Sequence, residues 1–381
     1  MLIDKRAIKV LKALNNNNIE AYIVGGAVRD YLLNLSPSDY DICYNGEIKR
    51  LYEIFKGYKI YETGIKYGTV TLNYKGLLIE LTRFRSEECY LDSRHPKAVN
   101  FVNDIKADLS RRDFTINAMC LDKDKNIVDI FCGKEDLENG VIKAVGKPDE
   151  RFLEDALRIL RAFRFASRFG FEIESKTKEA IFNQKGGLKK IAKERITEEV
   201  KEILIGANLN KVFFDFLKAC EDLISIDGVN TQNALDVLKR VRPNLRFLYF
   251  TLLFNCEDAF RLSGKEQKYL NILKTCQKTE TPNIFELFFN YEQEEISLVL
   301  EYFSLNNKLS KEAKTQCAQI FKKRLYKQIK NLKINGYDLE KLGLYGTEIS
   351  KIKKELSLLI LQNKIKNNKG ALIKYVKGKA K

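Results

Sequence analysis

A single histidine, His95, stands among the 381 residues. Metal cages and phosphohydrolase centres that need several imidazoles are therefore excluded. Eight cysteines (Cys43, Cys89, Cys120, Cys132, Cys220, Cys256, Cys276 and Cys317) are scattered without a CxxC pair. In a chain of this size that pattern predicts free thiols in a cytoplasmic protein, with no zinc site and no disulfide frame. No apolar run approaches the roughly 18 residues of a membrane span, so no membrane partner is expected. The opening MLIDKRAIKVLKALNNNN has no signal-peptide core either. Its Ile3, Ala7, Ile8, Leu11 and Leu14 recur at the spacing of an amphipathic helix. Proline is scarce. Beyond about residue 150 only Pro243 and Pro282 interrupt long amphipathic segments, which predicts a largely helical region. There is no internal repeat and no low-complexity linker.

What is present is a basic chain of ordinary apolar content, 45% hydrophobic, long enough for two or more domains. The formal net charge is +16. A solvated, Lys-rich surface would account for part of it, but the excess is concentrated. Within 308–333 nine cations face one acid, Glu312, and within 351–381 ten lysines face only Glu355. That skew suits a polyanion, nucleic acid first.

The first third is mixed α/β. IEAYIVGGAVRDYLL predicts a short strand, a glycine turn and a helix, and YDICY a second strand. YGTVTLNYKGLLIELTRF holds two β-rich runs around Lys75-Gly76, a hairpin signal. In SPSDYDICYNG, alternation along a strand aims Asp39 and Asp41 to one side and Tyr40 and Ile42 to the other. Two carboxylates held side by side repel, and nothing in folding requires them, which points to a bound cation. A lone GG is usually a turn. Gly25-Gly26, however, ends a strand and opens a helix that carries Arg29 and Asp30, about a dozen residues before the acid pair. A backbone that phosphate can approach, followed by two aligned carboxylates that hold Mg2+, is what nucleotidyl transfer requires.

GGAVRDYLLNLSPSDYDI resembles the signature of the class II tRNA nucleotidyltransferase and bacterial poly(A) polymerase family, within the polymerase-β-like nucleotidyltransferases. The resemblance implies an α+β fold: a nucleotidyltransferase head followed by a helical neck, body and tail. It implies catalytic roles for Asp39 and Asp41, the metal ligands, and for Glu80 in LLIELTRFR, whose plain alternative is an edge-strand surface acid. In DLSRRDFTINAM, two adjacent arginines are costly to bury without anions. The family implies that Arg111 and Arg112 lie near phosphates and that Asp113 accepts from the ribose, with Gly25, Gly26, Arg29, Asn117 and Arg161 also in the nucleotide site.

In EDALRILRAFRFASRFGF, helical spacing places Glu154, Arg158 and Arg161 on one face with Asp155 beside it. An exposed (i, i+4) salt bridge would explain that arrangement. The resemblance implies instead that Asp155 and Arg158 form a protein template for the incoming base and that Glu154 braces Arg158. FRSEECYLDSRHPKAV (84–99) is polar, and Pro96 discourages helix there. It is either an inert surface loop or, as the family implies, a mobile loop used in the final adenosine addition, which enzymes restricted to adding C lack. DIFCGKEDLENGVIKAVG and KERITEEVKEIL resemble elements that join head to neck and support it. INGYDLEKLGLYGTEISKIKKEL resembles the tail, although Leu344-Tyr345-Gly346 stands where relatives carry a Pro-Gly-Pro-like turn.

The resulting expectation is CCA addition to the 3′ end of tRNA with CTP, ATP and Mg2+. The segments would be a head at 1–137, a neck at 138–205, a body at 206–280 and a basic tail for tRNA at 281–381. An A-adding partner of a separate CC-adding enzyme shares nearly every motif. A poly(A) polymerase shares the head chemistry but usually carries an Arg-rich N-terminal extension. A non-enzymatic tRNA-binding protein would have lost the acids, which are present. No motif specifies an oligomeric state.

Overall fold

The computed structural model describes residues 3–90 and 96–379, those at 87–90 and 96–99 by backbone alone. Contacts divide the chain into two compact units. The first comprises Met1–Leu238 with Arg242–Arg261, and the second Lys239–Val241 with Leu262–Lys381.

The first unit begins with α1 (Lys5–Asn16), capped by Asp4, whose carboxylate accepts from the Arg6 backbone N–H at 2.7 Å. It buries Ala7, Val10, Leu11 and Leu14, while Ile8 is only half-buried. The strands β1 (Ala21–Val24), β2 (Tyr40–Tyr44), β3 (Lys59–Gly64), β4 (Thr69–Tyr74) and β5 (Leu77–Arg83) follow. Next come β6 (Arg85–Tyr90), β7 (Pro96–Phe101), β8 (Met119–Leu121) and β9 (Ile127–Asp129). Seven of them form one sheet in the order β3-β4-β5-β2-β1-β8-β9, in which only β2 and β5 run parallel. The β4–β5 turn places Lys75 and Gly76 at φ of 53° and 82°, the left-handed pair that a two-residue hairpin requires.

Helices α2 (Gly26–Leu32), α3 (Ile48–Ile54), α4 (Ile105–Ser110) and α5 (Gly133–Glu138) decorate the sheet. β6 and β7 pair with each other as a separate two-stranded sheet, Arg85 opposite Phe101 and Glu88 opposite Ala98. The polar stretch 84–99 is therefore largely a hairpin and not an irregular loop. Pro96, which has no N–H to give, sits at the first position of its strand, where that loss is tolerated. The loop residues 91–95, His95 among them, lie outside the described residues, and with them the expectation of a mobile element.

Past the sheet, β10 (Val141–Ile142) and β11 (Glu172–Ile173) form a short parallel ladder among helices. These helices are α6 (Pro148–Glu154), α7 (Leu157–Phe169), α8 (Ser175–Gln184), α9 (Lys193–Ile205) and α10 (Leu209–Ala219). Then come α11 (Thr231–Arg240), whose last turn passes to the second unit, and α12 (Arg246–Phe254). α7 packs on α9 and α10. Leu160, Phe163 and Ala166 of α7 are fully buried, as are Ile203 and Leu204 of α9. The approach is so close at one point that a Cβ on Gly206 would lie 2.0 Å from Ser167 Oγ.

The second unit is helical: α13 (Gly264–Gln277), α14 (Ile284–Asn290), α15 (Gln293–Leu305), α16 (Lys311–Lys322), α17 (Leu325–Lys330), α18 (Gly336–Glu340), α19 (Thr347–Leu361) and α20 (Lys369–Lys379). Leu339, Leu356, Ile360, Leu372 and Val376 form one of its cores. Among the described residues no helix is long and apolar enough to cross a membrane.

Candidate active site

A cleft of about 690 Å3 opens in the first unit above β2 and β5. Asp39, Asp41 and Glu80 line it. Strand register explains two of them, since Asp41 of β2 stands directly opposite Glu80 of β5; Asp39, expected on the same strand, lies one residue before β2 begins and lines the same cleft. Burial, then the Glu80 carboxylate and more weakly Asp39, push the Asp41 carboxyl up to about 6 against the pull of Arg112. Crowded acids of this kind seek a cation. They offer only oxygen, the donor that a hard divalent ion such as Mg2+ takes. Among the described residues no three such side chains gather into a closed cage. Mg2+ needs no cage, because it keeps several waters and shares its shell with one or two carboxylates and substrate phosphates. The residues fit the ion.

The opposite wall is built of arginines, each placed by a carboxylate. α4 carries Asp108, which is fully buried. Its Oδ1 accepts from Arg111 Nη2 at 2.8 Å, and its Oδ2 from Arg112 Nη2 at 3.1 Å. Arg112 also donates to Cys43 Sγ at 3.3 Å. A Cβ on Gly25 would come within 2.9 Å of Arg112 Nη1, and Gly25 has φ +68°, so the first glycine is required on both counts. Behind the turn, Arg29 is buried. It donates to Asp30 at 2.7 Å and to Asn117 Oδ1 at 2.7 Å, and it stacks over Phe165 and Phe169. Asp113 accepts from Asn117 Nδ2 at 3.1 Å and from Arg161 Nε at 2.7 Å. Burial alone would raise the Asp113 carboxyl, but Arg161, Asn117 and Arg158 outweigh it and hold it down to about 2.

The helix expected to run from Glu154 to Phe171 is broken. α6 stops at Glu154, Asp155 is extended at φ −146°, ψ 103°, and α7 starts at Leu157. The break has a local cause, because Asp155 Oδ1 accepts from the Leu157 N–H at 3.0 Å and so caps the new helix. Asp155 and Arg158 also have different partners. Arg158 Nη1 donates to Glu154 Oε2 at 2.6 Å and Arg158 Nη2 to the Arg111 carbonyl at 3.0 Å. Asp155 Oδ2 accepts from Arg195 Nη2 of α9 at 2.7 Å. Thus Gly25, Gly26, Arg29, Asp39, Asp41, Glu80, Arg111, Arg112, Asp113, Asn117, Asp155, Arg158 and Arg161 all line one cleft. Glu154 stands behind it, against Arg158 and Arg151.

A pair of aligned acids facing a wall of arginines can bind a metal–triphosphate and a base edge in one cavity. Residues 21–143 match the family described as the poly A polymerase head domain, and residues 170–214 match the probable RNA and SrmB-binding site of polymerase A. A CCA-adding enzyme of Lactobacillus helveticus is 34% identical, with 97% of this chain and 96% of the relative aligned. One of Staphylococcus haemolyticus is 32% identical, with 99% and 98% aligned. The chain belongs to the CCA-adding enzyme family. A solved CCA-adding enzyme from Bacillus stearothermophilus, in complex with CTP, superposes with a TM-score of 0.78 at 26% identity, covering 99% of this chain and 97% of that one. A Thermotoga maritima CCA-adding enzyme complexed with tRNA superposes at 0.68 and 23% identity, a likeness of fold.

As a member of this family the chain is a nucleotidyltransferase, of a kind that generally depends on a divalent metal. Several polar residues in or behind the cleft had no role assigned from sequence, Asp108, Arg195 and Glu199 among them. Asp108 could have been found, since Arg111 and Arg112 stand at i+3 and i+4 from it on one helical face. Arg195 and Glu199 could not. They sit in KERITEEVKEIL, where charged residues at every turn look like a solvated helix. Glu199 is in fact 7% exposed and pairs with Arg164 at 3.2 Å. Burial raises its carboxyl against the pull of Arg164 and Arg161.

Proposed function

We propose that this enzyme adds CCA to the 3′ end of tRNA without a nucleic-acid template, using CTP and ATP. The observation that carries the reading is the single cleft, in which an oxygen-only acid pair, an arginine wall and a carboxylate–guanidinium pair face one nucleotide-sized space. Full-length similarity to CCA-adding enzymes supports the same reading. In this mechanism Asp39 and Asp41 hold Mg2+, with Glu80 beside them. When bound, the ion neutralises charge on the triphosphate. Arg111 and Arg112, with the Gly25-Gly26 turn, hold the phosphates. Asp113 and Asn117, with Arg161, position the ribose. The RNA 3′-hydroxyl then attacks the α-phosphorus in line, and pyrophosphate departs against the arginine wall. No side-chain nucleophile is required.

Base choice falls to Asp155 and Arg158. A carboxylate accepts and a guanidinium donates. Cytosine and adenine each present an amino donor beside a ring-nitrogen acceptor, whereas uracil and guanine present the reverse. Each well-placed contact of this type contributes about 1–3 kcal/mol of discrimination. The division of labour follows the four segments, with head chemistry at 1–137, selection in the neck at 138–205, and tRNA held by the body and the basic tail at 281–381. Seven described cysteines are free, which supports action in the cytoplasm.

The test supplies tRNAs lacking CCA, ending in C75 and complete, with CTP and ATP given separately. Two C on the first with CTP, one A on the second with ATP, and nothing on the third are expected. Incorporation of ATP alone would assign an A-adding enzyme, and runs of A a poly(A) polymerase. Asp155→Ala and Arg158→Ala should each admit UTP or GTP, lowering discrimination roughly 5- to 150-fold. Unaltered ratios in both variants would remove base selection from this pair.

A further inference from the structure

Asp155 and Arg158 lie three residues apart with opposite charge, in a cleft that shields them from solvent. Left alone, such a pair would close on itself, and each group would then consume the valence that a base needs. The structure keeps them apart by giving each a separate partner. Arg158 is drawn to Glu154 and to the carbonyls of Arg111 and Arg151. Asp155 is drawn to Arg195, which comes from α9, forty positions along the chain. The Arg195 fork spans the carboxylate, with Nη2 at 2.7 Å from Oδ2 and Nη1 at 3.5 Å from Oδ1. With the Leu157 N–H on Oδ1 as well, the carboxylate plane is set by two independent elements. The Arg195 side chain is 23% exposed and that of Asp155 16%, so water competes weakly for either.

We propose that Arg195 is a positioning residue for nucleotide selection. It holds the Asp155 carboxylate away from Arg158, so that both remain open to the Watson–Crick edge of the incoming base. The inference rests on the assignment of base reading to Asp155 and Arg158. Each carboxylate oxygen carries two lone pairs; Leu157 and Arg195 Nη1 occupy those of Oδ1, whereas Oδ2 accepts only from Arg195 Nη2 and keeps one acceptor position for an amino group of cytosine or adenine. Removing Arg195 lets Asp155 rotate toward Arg158 or Arg161, and the acceptor is lost to a neighbouring guanidinium. Lysine would keep the charge without the planar fork, and so would hold the carboxylate less firmly.

The experiment measures kcat/KM for all four nucleoside triphosphates on tRNA lacking CCA. The full-length enzyme is compared with Arg195→Ala, Arg195→Lys and Asp155→Ala. The expected result is a preference for CTP over UTP that falls about tenfold or more in Arg195→Ala, with Arg195→Lys between that variant and the parent. Asp155→Ala should relax the preference further. A purely structural role would slow all four nucleotides alike and leave the ratio unchanged. If Arg195→Ala does not fold, Arg195→Lys and Arg195→Gln carry the same reading. An unchanged ratio in the Arg195 variants beside a relaxed Asp155→Ala overturns the Arg195 assignment alone. An unchanged ratio in Asp155→Ala overturns the base-reading assignment beneath it.

Discussion

The two units handle positive charge in opposite ways. In the first, the cleft cations are arginines, and each of the central ones is tied to a sheltered carboxylate. Arg111 and Asp108 have side chains 17% and 0% exposed, and Arg158 and Glu154 are 11% and 22% exposed. In the second, the cations are mostly lysines on the surface, and where they pair the lysine side chain itself stays open to water, at 65% in Lys265 with Glu294 and 63% in Lys268 with Glu295. A planar guanidinium fixed by a carboxylate presents donors at set positions, which suits a phosphate or a base edge. A mobile ammonium supplies charge without fixed geometry, which suits a polyanion bound by its backbone and shape. The comparison predicts that the first unit is sensitive to single atoms and the second to total charge.

The largest effect should follow from the acid pair. Asp39→Asn or Asp41→Asn should lower incorporation of CTP and ATP alike by at least about 10³-fold while tRNA affinity holds, checked by single-turnover assay beside filter binding. Next comes the carboxylate under the arginine wall. Asp108→Asn leaves two guanidinium groups facing a buried neutral amide and should cost about 3 kcal/mol, measured by urea unfolding.

Asp41→Asn should act in the reverse direction on stability. The Asp41 carboxyl sits at about 6 in the folded chain against an ordinary 3.8, so keeping it ionised opposes folding. That penalty is complete above pH 6, shrinks as pH falls through 6 and vanishes below the ordinary value. In chelator at pH 8 the variant should therefore be more stable than the parent by about 1–3 kcal/mol, and the gap should close near pH 4. A gap that persists at pH 4 would mean that charge is not its source.

The second unit should respond gradually. Replacing the exposed Lys322, Lys323 and Arg324 together by alanine should reduce the salt dependence of tRNA binding by about 2–3 in log–log slope if each meets a phosphate. CTP-over-UTP preference should not change. The smallest effect belongs to the open pair, since Lys265→Ala should leave the melting temperature unmoved within error.

Much of the first unit was legible because its signals are local. The run YDICY coincides with β2, Lys75-Gly76 with the β4–β5 turn, and the spacing of Ala7, Leu11 and Leu14 with the buried face of α1. Other features were not. The charged stretch 84–99 hid a β-hairpin, because its strands pair only with each other and need no apolar alternation. The helical period of LRILRAFRFASRF also extends back through EDA, so no change of rhythm marks the break at Asp155.

Sequence by itself determined the chemistry: an acid pair at the start of a strand, a glycine turn that an arginine can approach, paired arginines, and a helical chain whose positive charge gathers toward its end. Those are properties of neighbours in the chain, where period and spacing dictate which side chains share a face. Tertiary structure alone decided which carboxylate serves which guanidinium. Asp155 and Arg195 are forty positions apart, and Asp113 and Arg161 forty-eight. Nothing in the spacing of either pair announces the contact. Only the packing of α7 on α9 brings Arg195 to Asp155, and only the closure of the cleft removes enough water to make these partnerships selective.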